Sequence, residues 1–410
     1  RAMAYIEENK DEPFFVYLPL NTPHSPMQVP DRWWNKFKDS DLGLRAREED
    51  KELLQHTRAA LAMCENIDWN VGRVTDKLDE LGLAENTIVI YFSDNGPNGF
   101  RWNADMKGKK GAVDEGGVRS PFFIRWPGGF SGGRKIEEIA GTIDLLPTLT
   151  ELAGIRKYDT LPLDGVSLKP LLAHANAAWK DRLYFNHFKG KTSVRSQHFR
   201  LDQNEKLYDM VNDHGQRTDA SARFPKEAKR LRAAKRDFEK NVASELPEKD
   251  ERPFLVGHAD FDFTQMPIRD ANSSGGVQRS GNAPNCSFFT NWTSLDDSIF
   301  WDAEVLTSGD YRVDAYYACP EKDVGATFQL SHGKSKLVAK VVEAHDPPLE
   351  GAEEDHFLRK SESYVKDFKP MNLGVMHLKK GRNLLELKAL DIPGDQVMEV
   401  RLLMFHRVDG

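Results

Sequence analysis

The sequence predicts an α/β domain, then a small antiparallel α+β subdomain, and finally a β-sandwich. In the first half of the chain, short continuous apolar runs alternate with helical patterns, which is the order of elements in α/β domains. In the last third, strand-like segments are separated by Gly, Pro and Asp turns and show no strong helical periodicity. That pattern is typical of a β-sandwich.

Length and composition limit the classes of protein that the chain can belong to. Its 410 residues, 39% hydrophobic and 30% charged, are enough for about two or three independent cores. The net charge of -7 and the scattered Lys and Arg residues give no sign of nucleic-acid binding. No apolar run approaches the roughly 20 residues that span a bilayer, so we expect no membrane partner.

The first elements follow α/β order. Residues 13–18 form a short continuous apolar run, which predicts a strand buried on both faces. From about residue 53 to residue 81 the apolar residues recur at helical spacing, and Gly82 supplies a C-terminal stop. We therefore predict one long amphipathic helix in this stretch.

Two further strands enclose the first candidate site. A strand at 88–92 leads into a polar loop at Asp94, and a strand at 121–126 follows a Gly-rich loop. In open α/β sheets ligands bind beyond the carboxyl ends of strands, which makes the loop at Asp94 a candidate site. A short helix is predicted at 144–152, and we assign residues 1–175 to the α/β region.

The second half of the chain is divided by a charged, Pro-flanked segment. Residues 176–246 predict short antiparallel strands followed by a basic helix at about 226–242. Residues 247–253 are the best linker candidate, and residues 253–410 form the predicted sandwich. The predicted sandwich strands are 298–305, 310–318, 326–330, 336–342, 373–378, 383–389 and 397–405.

Three short segments contain candidate functional residues. Asp94 and Asn95 offer a carboxylate and an amide oxygen, hard ligands suited to Ca²⁺ or Mg²⁺, although Asn-Gly-Pro is also an ordinary turn sequence. His24 follows the first predicted strand and could donate a proton or bind an anion, or be a hydrogen-bonded loop histidine. The stretch 106–119 combines lysines with glycines, which suits either an oxyanion clamp or a solvated basic loop.

Taken together, these segments resemble sulfatase motifs. Residues 22–26 (Thr-Pro-His-Ser-Pro) are similar to the Pro-His-x-Pro segment of that family, and residues 92–97 (Phe-Ser-Asp-Asn-Gly-Pro) to its Ser-Asp-Asn-Gly metal motif. Residues 110–121 are similar to its Lys-Gly-x-x-x-Glu-Gly-Gly-x-Arg-x-Pro block. Order and spacing also match, and the likeness covers roughly residues 1–219.

The resemblance implies a partial alkaline-phosphatase-like core in a calcium-dependent sulfuric ester hydrolase, which removes sulfate from a sulfated carbohydrate or an aryl sulfate. Asp94 and Asn95 would coordinate Ca²⁺, with Mg²⁺ as an alternative. Lys110 would bind the sulfate oxygens, and His24 would contact the sulfate or protonate the leaving oxygen. The nucleophile of the family is a formylglycine made from Cys or Ser, and its members are expected in the periplasm or outside the cell.

The maturation motif of the family, Cys or Ser followed by x-Pro-x-Arg, is absent. Cys64, Cys286 and Cys319 have other neighbours and form no CxxC pair. We therefore expect the nucleophile in a missing N-terminal segment and expect this piece alone to be inactive. A degenerate pseudoenzyme is the rival interpretation.

Substrate contacts are predicted in the loop after the metal motif. Arg101, Trp102 and Asn103 form a basic, aromatic and amide trio that suits a sugar ring bearing an anionic group.

The C-terminal module resembles carbohydrate-binding-like sandwiches. In it Trp292, Trp301, Tyr316 and Tyr317 offer either stacking faces for sugars or core side chains.

Two alternatives to the sulfatase interpretation stay open. One is a phosphonate or phosphate ester hydrolase of the same superfamily, and the other is a non-catalytic carbohydrate-binding protein.

Overall fold

The computed structural model describes residues 1–155, 161–359 and 361–408. The chain divides into two compact units, one of residues 1–24 and 32–248 and the other of residues 25–31 and 249–410. The second division falls within the predicted linker 247–253, whereas the excursion of residues 25–31 into the second unit had no counterpart in the sequence pattern. Within the described parts of the chain, no helix combines the length and apolar character needed to cross a membrane.

The first unit holds the helices and two small sheets. The helices are α1 Ala2–Glu8, α2 Asp31–Trp34, α3 Leu54–Glu80, α4 Glu115–Val118, α5 Leu145–Leu152, α6 Lys169–Ala173 and α7 Pro225–Asn241. The strands are β1 Val89–Phe92, β2 Phe122–Arg125, β3 Tyr184–Phe188, β4 Lys191–Arg195, β5 Phe199–Leu201 and β6 Leu207–Asp209.

Helix α3 confirms the long amphipathic helix and its predicted stop. Gly82 adopts a left-handed φ of 68°, and the next amide, of Leu83, donates to the Leu78 carbonyl at 2.8 Å. The Gly82 amide donates to the Asp79 carbonyl at 3.0 Å. These two bonds form a Schellman cap, which glycine makes possible because a left-handed residue without a Cβ carries no steric penalty.

The predicted strand at residues 13–18 is wrong. The segment forms no strand, and Phe15 and Tyr17 are 78% and 75% exposed. Phe14 and Val16 face the other way and pack against the cluster of buried residues that contains Leu78. A continuous apolar run predicts burial on both faces, but only one face has a packing partner in the part of the chain that the structure describes.

Strands β1 and β2 confirm the other two predicted strands and form an antiparallel pair, in which Phe92 is opposite Phe122. Phe92 ends β1 and Phe122 begins β2. The loop that leaves β1 and the loop that enters β2 therefore lie at the same end of the pair. These are the two loops that hold Asp94 and Lys110.

The predicted antiparallel subdomain contains a four-stranded sheet in the order β3-β4-β5-β6 and helix α7. Val194, Leu201 and Leu207 of the sheet share one buried cluster with Ala228 and Leu231 of the helix. The helix is strongly basic along its outer face and is held by this apolar stripe.

The second unit consists of two antiparallel sheets with one parallel edge pair. Its strands are β7 Phe254–Val256, β8 Phe263–Pro267, β9 Asn272–Ser274, β10 Gln278–Arg279, β11 Phe289–Thr290, β12 Ser298–Val305, β13 Gly309–Ala318, β14 Thr327–His332, β15 Ser335–Lys340, β16 Lys369–Leu378, β17 Gly381–Asp391 and β18 Glu399–Arg407. One sheet has the order β10-β11-β18-β13-β16 with β8 beside β18, and the other has β15-β14-β17-β12-β7 with β9 beside β12.

The core of this unit contains most of the aromatic residues that the sequence offered as sugar-stacking faces. Trp292, Trp301 and Tyr317 are buried among the core residues of both sheets, so a stacking role for these three is wrong. Tyr316 is half-buried. Successive strand residues point to opposite faces, which is why Tyr316 and Tyr317 have different surroundings.

Candidate functional site

The loops that follow β1 and precede β2 are hydrogen-bonded to each other. The Gly96 amide donates to the Gly117 carbonyl, and the Lys110 amide donates to the Pro97 carbonyl, each at 2.9 Å. These bonds bring the loop that holds Asp94 and Asn95 directly against the loop that holds Lys110. The structure thus joins three of the residues that the sequence predicted for one site.

Glycines make this close approach possible. A Cβ on Gly96 would lie 1.9 Å from the Gly116 carbonyl oxygen, and a Cβ on Gly117 would lie 2.3 Å from the Ala112 carbonyl oxygen. No real Cβ tolerates such distances, and the obstructing atoms belong to the backbone. Gly96 therefore allows the two loops to come into contact, and Gly117 allows the lysine loop to fold back on itself.

We expect Gly96→Ala to separate the two loops. The added methyl must displace the Gly116 carbonyl and would break the 2.9 Å bond from Gly96 to Gly117. The expected cost is about 1–3 kcal/mol of unfolding free energy, as for other overpacked sites, measured by urea denaturation. Gly72→Ala on α3 is the matched control, because its Cβ would meet no atom within 4 Å; it should be neutral or slightly stabilising. Equal stability of the two variants would contradict this account.

The two candidate metal ligands, Asp94 and Asn95, fit a divalent cation in kind but not in number. Asp94 is exposed, and Asn95 donates its side-chain amide to the Gly96 carbonyl at 2.8 Å, a bond that does not use its amide oxygen. Ca²⁺ takes about six to eight oxygen ligands. Over residues 1–155, 161–359 and 361–408, no group of three or more His, Cys, Asp or Glu side chains is placed to hold a metal ion.

The lysines near α4 differ in their surroundings. Lys107 forms ion pairs with Asp114 at 3.2 Å and Asp202 at 3.3 Å, and the Lys109 ammonium lies 4.6 Å from the centre of the Phe100 ring. Lys110 is half-buried and, among the described residues, has neither an ion pair nor a ring contact. It is therefore the lysine of this loop whose charge is available to an anionic ligand.

A buried carboxylate fixes the base of the lysine loop. Glu115, the first residue of α4, lies 2.8 Å from an Arg200 guanidinium nitrogen and 3.3 Å from that of Arg195. Burial alone would raise the pKa of Glu115, but the two guanidinium groups outweigh it and the pKa is lowered below 4.5. The charged form of Glu115 is thus built into the fold, and its ion pairs with Arg200 and Arg195 brace the lysine loop.

Two members of the predicted substrate trio already have hydrogen-bond partners in the protein. Arg101 reaches His56 at 2.9 Å and the Asn98 carbonyl at 2.8 Å, and burial lowers its pKa. Asn103 donates to the carbonyls of Met106 and Gly108 at 3.1 and 3.2 Å. His56 was missed because a single histidine in an amphipathic helix has no distinguishing sequence signal.

Trp102 and His24 are both exposed. Trp102 is 50% exposed. His24 lies in a turn in which its amide donates to the Asn21 carbonyl at 2.9 Å, at the point where the chain leaves the first unit. A substrate role for the trio and a catalytic role for His24 remain predictions.

An α/β region that presents hard oxygen ligands beside an available lysine defines a candidate site for an anionic ester such as a sulfate or phosphate ester. Comparison with known proteins identifies the family. Residues 1–155 match the sulfatase family model, and residues 109–246 match the model described as N-sulphoglucosamine sulphohydrolase, C-terminal. Residues 1–246 of the chain therefore belong to the sulfatase family.

Curated relatives agree with this assignment. The chain is similar to an arylsulfatase from Clostridium perfringens, with 32% identity over 44% of this chain and 42% of the relative. A sulfatase from Formosa agariphila is 31% identical over 54% of this chain and 45% of the relative. Steryl-sulfatase from Mus musculus is 43% identical over 26% of this chain and 19% of the relative. The chain thus spans less than half the length of each of these relatives.

Proposed function

We propose that the protein is a sulfuric ester hydrolase, in which Lys110 binds the sulfate oxygens and Asp94 and Asn95 supply two ligands of a Ca²⁺ site. The main support is the hydrogen-bonded pair of loops that sets Lys110 beside Asp94 and Asn95, with Lys110 free of ion pairs among the described residues. The net reaction adds water to the ester and releases sulfate and an alcohol.

The physical basis is the charge that develops on oxygen when a sulfate ester is cleaved. A fixed ammonium group stabilises that charge in the transition state more than in the ground state, which lowers the barrier. Sulfatases generally use a divalent metal and a formylglycine for the attack on sulfur. The sequence of this chain contains no formylglycine motif, so we assign to its own residues the binding of sulfate and part of the metal shell.

The ester is proposed to be a sulfated carbohydrate, so the alcohol that is released is the desulfated sugar. Trp102 offers an exposed indole in the loop that follows the metal motif, and aromatic faces suit the apolar face of a sugar ring. His24 would protonate the leaving oxygen or contact the sulfate. A sulfated glycan substrate agrees with a periplasmic or secreted location, which we propose together with it.

The direct test compares 4-nitrophenyl sulfate and 4-nitrophenyl phosphate as substrates of the full-length gene product. We expect kcat/KM for the sulfate to exceed that for the phosphate by at least about tenfold, since discrimination of this size needs roughly 1.4 kcal/mol of differential transition-state binding. Preference for the phosphate would favour the phosphate ester alternative. Hydrolysis of neither ester, together with glycan binding, would favour a non-catalytic carbohydrate-binding protein.

A further inference from the structure

The four-stranded sheet β3–β6 is bonded directly to the lysine loop, residues 106–119, which contains Lys110. The Ser193 hydroxyl and the Arg200 guanidinium both donate to the Val113 carbonyl, at 2.6 and 2.8 Å. All three residues are buried, with exposures of 2% or less. Sheet and loop both belong to the first unit, so these bonds hold them together within that unit.

The sheet turns one face to helix α7 and the other face to the lysine loop. On β3, the Phe185 ring stacks on the Phe238 ring of α7, with 4.5 Å between the ring centres. The next residue, Asn186, accepts a bond at 3.3 Å from Arg200, which is itself bonded to the lysine loop. Successive strand residues point to opposite faces. Phe188, the last residue of β3, therefore lies on the same face as Asn186, toward the lysine loop.

The ring of Phe188 lies beside the backbone that follows Lys110. A Cβ on Gly111, the residue after Lys110, would lie 3.7 Å from the ring carbon Cε1 of Phe188, which is van der Waals contact. Gly111 has a left-handed φ of 86°, a conformation that glycine tolerates best. Phe188 is nevertheless 45% exposed, and Gly111 is exposed as well. A phenyl ring thus lies at the surface next to the lysine that we assign to sulfate.

Two lysines flank this ring. Lys191 is directly opposite Phe188 in the pair of strands β3 and β4, and directly opposite residues have their side chains on the same face of a sheet. The Lys189 ammonium lies 5.4 Å from the centre of the Phe188 ring. Both lysines are exposed. An aromatic face suits the apolar face of a sugar, and the neighbouring positive charges favour a sugar that carries acidic groups over a neutral one.

We propose that Phe188 and Lys191 form a sugar-binding subsite next to Lys110. The Phe188 ring stacks on the sugar whose sulfate ester is bound at Lys110, and Lys191 attracts the negative charge of the sulfated chain. The inference rests on the proposed function, since it takes Lys110 to bind the sulfate. It adds a substrate contact from the antiparallel subdomain, whereas the contacts predicted from the sequence are confined to residues 101–103.

The kinetic test uses the full-length gene product with 4-nitrophenyl sulfate and with singly sulfated disaccharides prepared from carrageenan and chondroitin sulfate. For the best disaccharide substrate, Phe188→Ala should raise KM about three- to tenfold while kcat changes less than about twofold, because stacking stabilises the bound substrate and the transition state alike. Phe188→Trp keeps an aromatic face and should leave KM within about twofold of the native value.

Phe188→Leu is the matched control for packing. Leucine keeps an apolar contact with Gly111 but has no flat ring, so KM for the disaccharide should rise as it does in Phe188→Ala. A native KM in Phe188→Leu would overturn the stacking role, because apolar contact alone would then be sufficient. The urea midpoint should stay close to that of the native protein in all three variants, since the side chain is already 45% exposed.

Lys191→Ala tests the charge beside the ring. We expect KM for the disaccharide to rise about two- to threefold at low ionic strength and by less in salt. Lys229→Ala is the control, because Lys229 is exposed on α7, the helix that covers the opposite face of the sheet. Equal rises in KM in the two variants would overturn the role of Lys191, since general positive charge would then attract the substrate.

The two substrate types separate this subsite from the proposed function. Hydrolysis of neither 4-nitrophenyl sulfate nor any disaccharide would overturn the proposed function and the subsite together. Hydrolysis of 4-nitrophenyl sulfate but of no disaccharide would overturn the sugar subsite alone. A disaccharide KM that is unchanged in Phe188→Ala would do the same.

Discussion

Lys110→Ala is expected to lower kcat/KM for 4-nitrophenyl sulfate by about 100- to 1,000-fold, the usual effect of removing one fixed group that stabilises an oxyanion. The variant loses the ammonium that, among the described residues, has no carboxylate partner in its own loop. Folding should be little affected, because the bond from Lys110 to Pro97 uses the backbone amide. Most of the loss should appear in kcat, since the charge on the sulfate oxygens and the leaving oxygen grows toward the transition state.

Lys109→Ala is the matched control for this prediction. It removes the same charge from the neighbouring position of the same loop, but the Lys109 ammonium is placed over the Phe100 ring. We expect a change of less than about threefold in kcat/KM, in line with the small value of an exposed cation-π contact. Equal losses in the two variants would mean that the loop attracts sulfate through its general positive charge, and the specific role of Lys110 would then be wrong.

Local sequence patterns were sufficient for the elements whose stability is local. The predicted sandwich strand 298–305 coincides with β12, because alternate residues are apolar and turn residues bound the strand. Helix α3 followed from its apolar spacing and from Gly82. Asp94, Asn95 and Lys110 could be proposed from the sequence because they stand in short contiguous motifs, in the loops that follow β1 and precede β2.

The features that escaped prediction depend on distant contacts. Residues 25–31 are held largely through backbone groups. The two side-chain bonds, from Gln28 to Gly351 and between His356 and Val29, each join residues more than 320 positions apart in sequence. Backbone carbonyls have no sequence signature, so no pattern in residues 25–31 indicates that they pair with the loop at residues 351–356. The error at residues 13–18 has a related origin, because an apolar run specifies that burial is favourable but does not identify the surface that provides it.

Glu115→Gln is expected to destabilise the chain by about 3–5 kcal/mol, the usual cost of removing one partner from a buried ion pair. The substitution keeps the side-chain volume but leaves Arg200, which is 2% exposed, and Arg195 without their carboxylate. The urea midpoint at pH 7 measures the effect. Glu137→Gln is the control. Glu137 and its partner Lys135 are both exposed, so loss of this pair should barely move the urea midpoint.

The native chain and Glu115→Gln should differ in stability by an amount that depends on pH. The direction of the pKa shift of Glu115 determines how. The pKa of Glu115 in the folded chain lies below its ordinary value of 4.5, because Arg200 and Arg195 outweigh the effect of burial. The unfolded chain therefore takes up the proton first, so the contribution of Glu115 is fully present above about pH 4.5 and is lost as the pH falls through the folded value. The difference in unfolding free energy between the native chain and Glu115→Gln should therefore become smaller as the pH falls below about 4.5. A difference in stability that stays constant from pH 7 to pH 3 would show that the charge of the Glu115 carboxylate does not stabilise the fold.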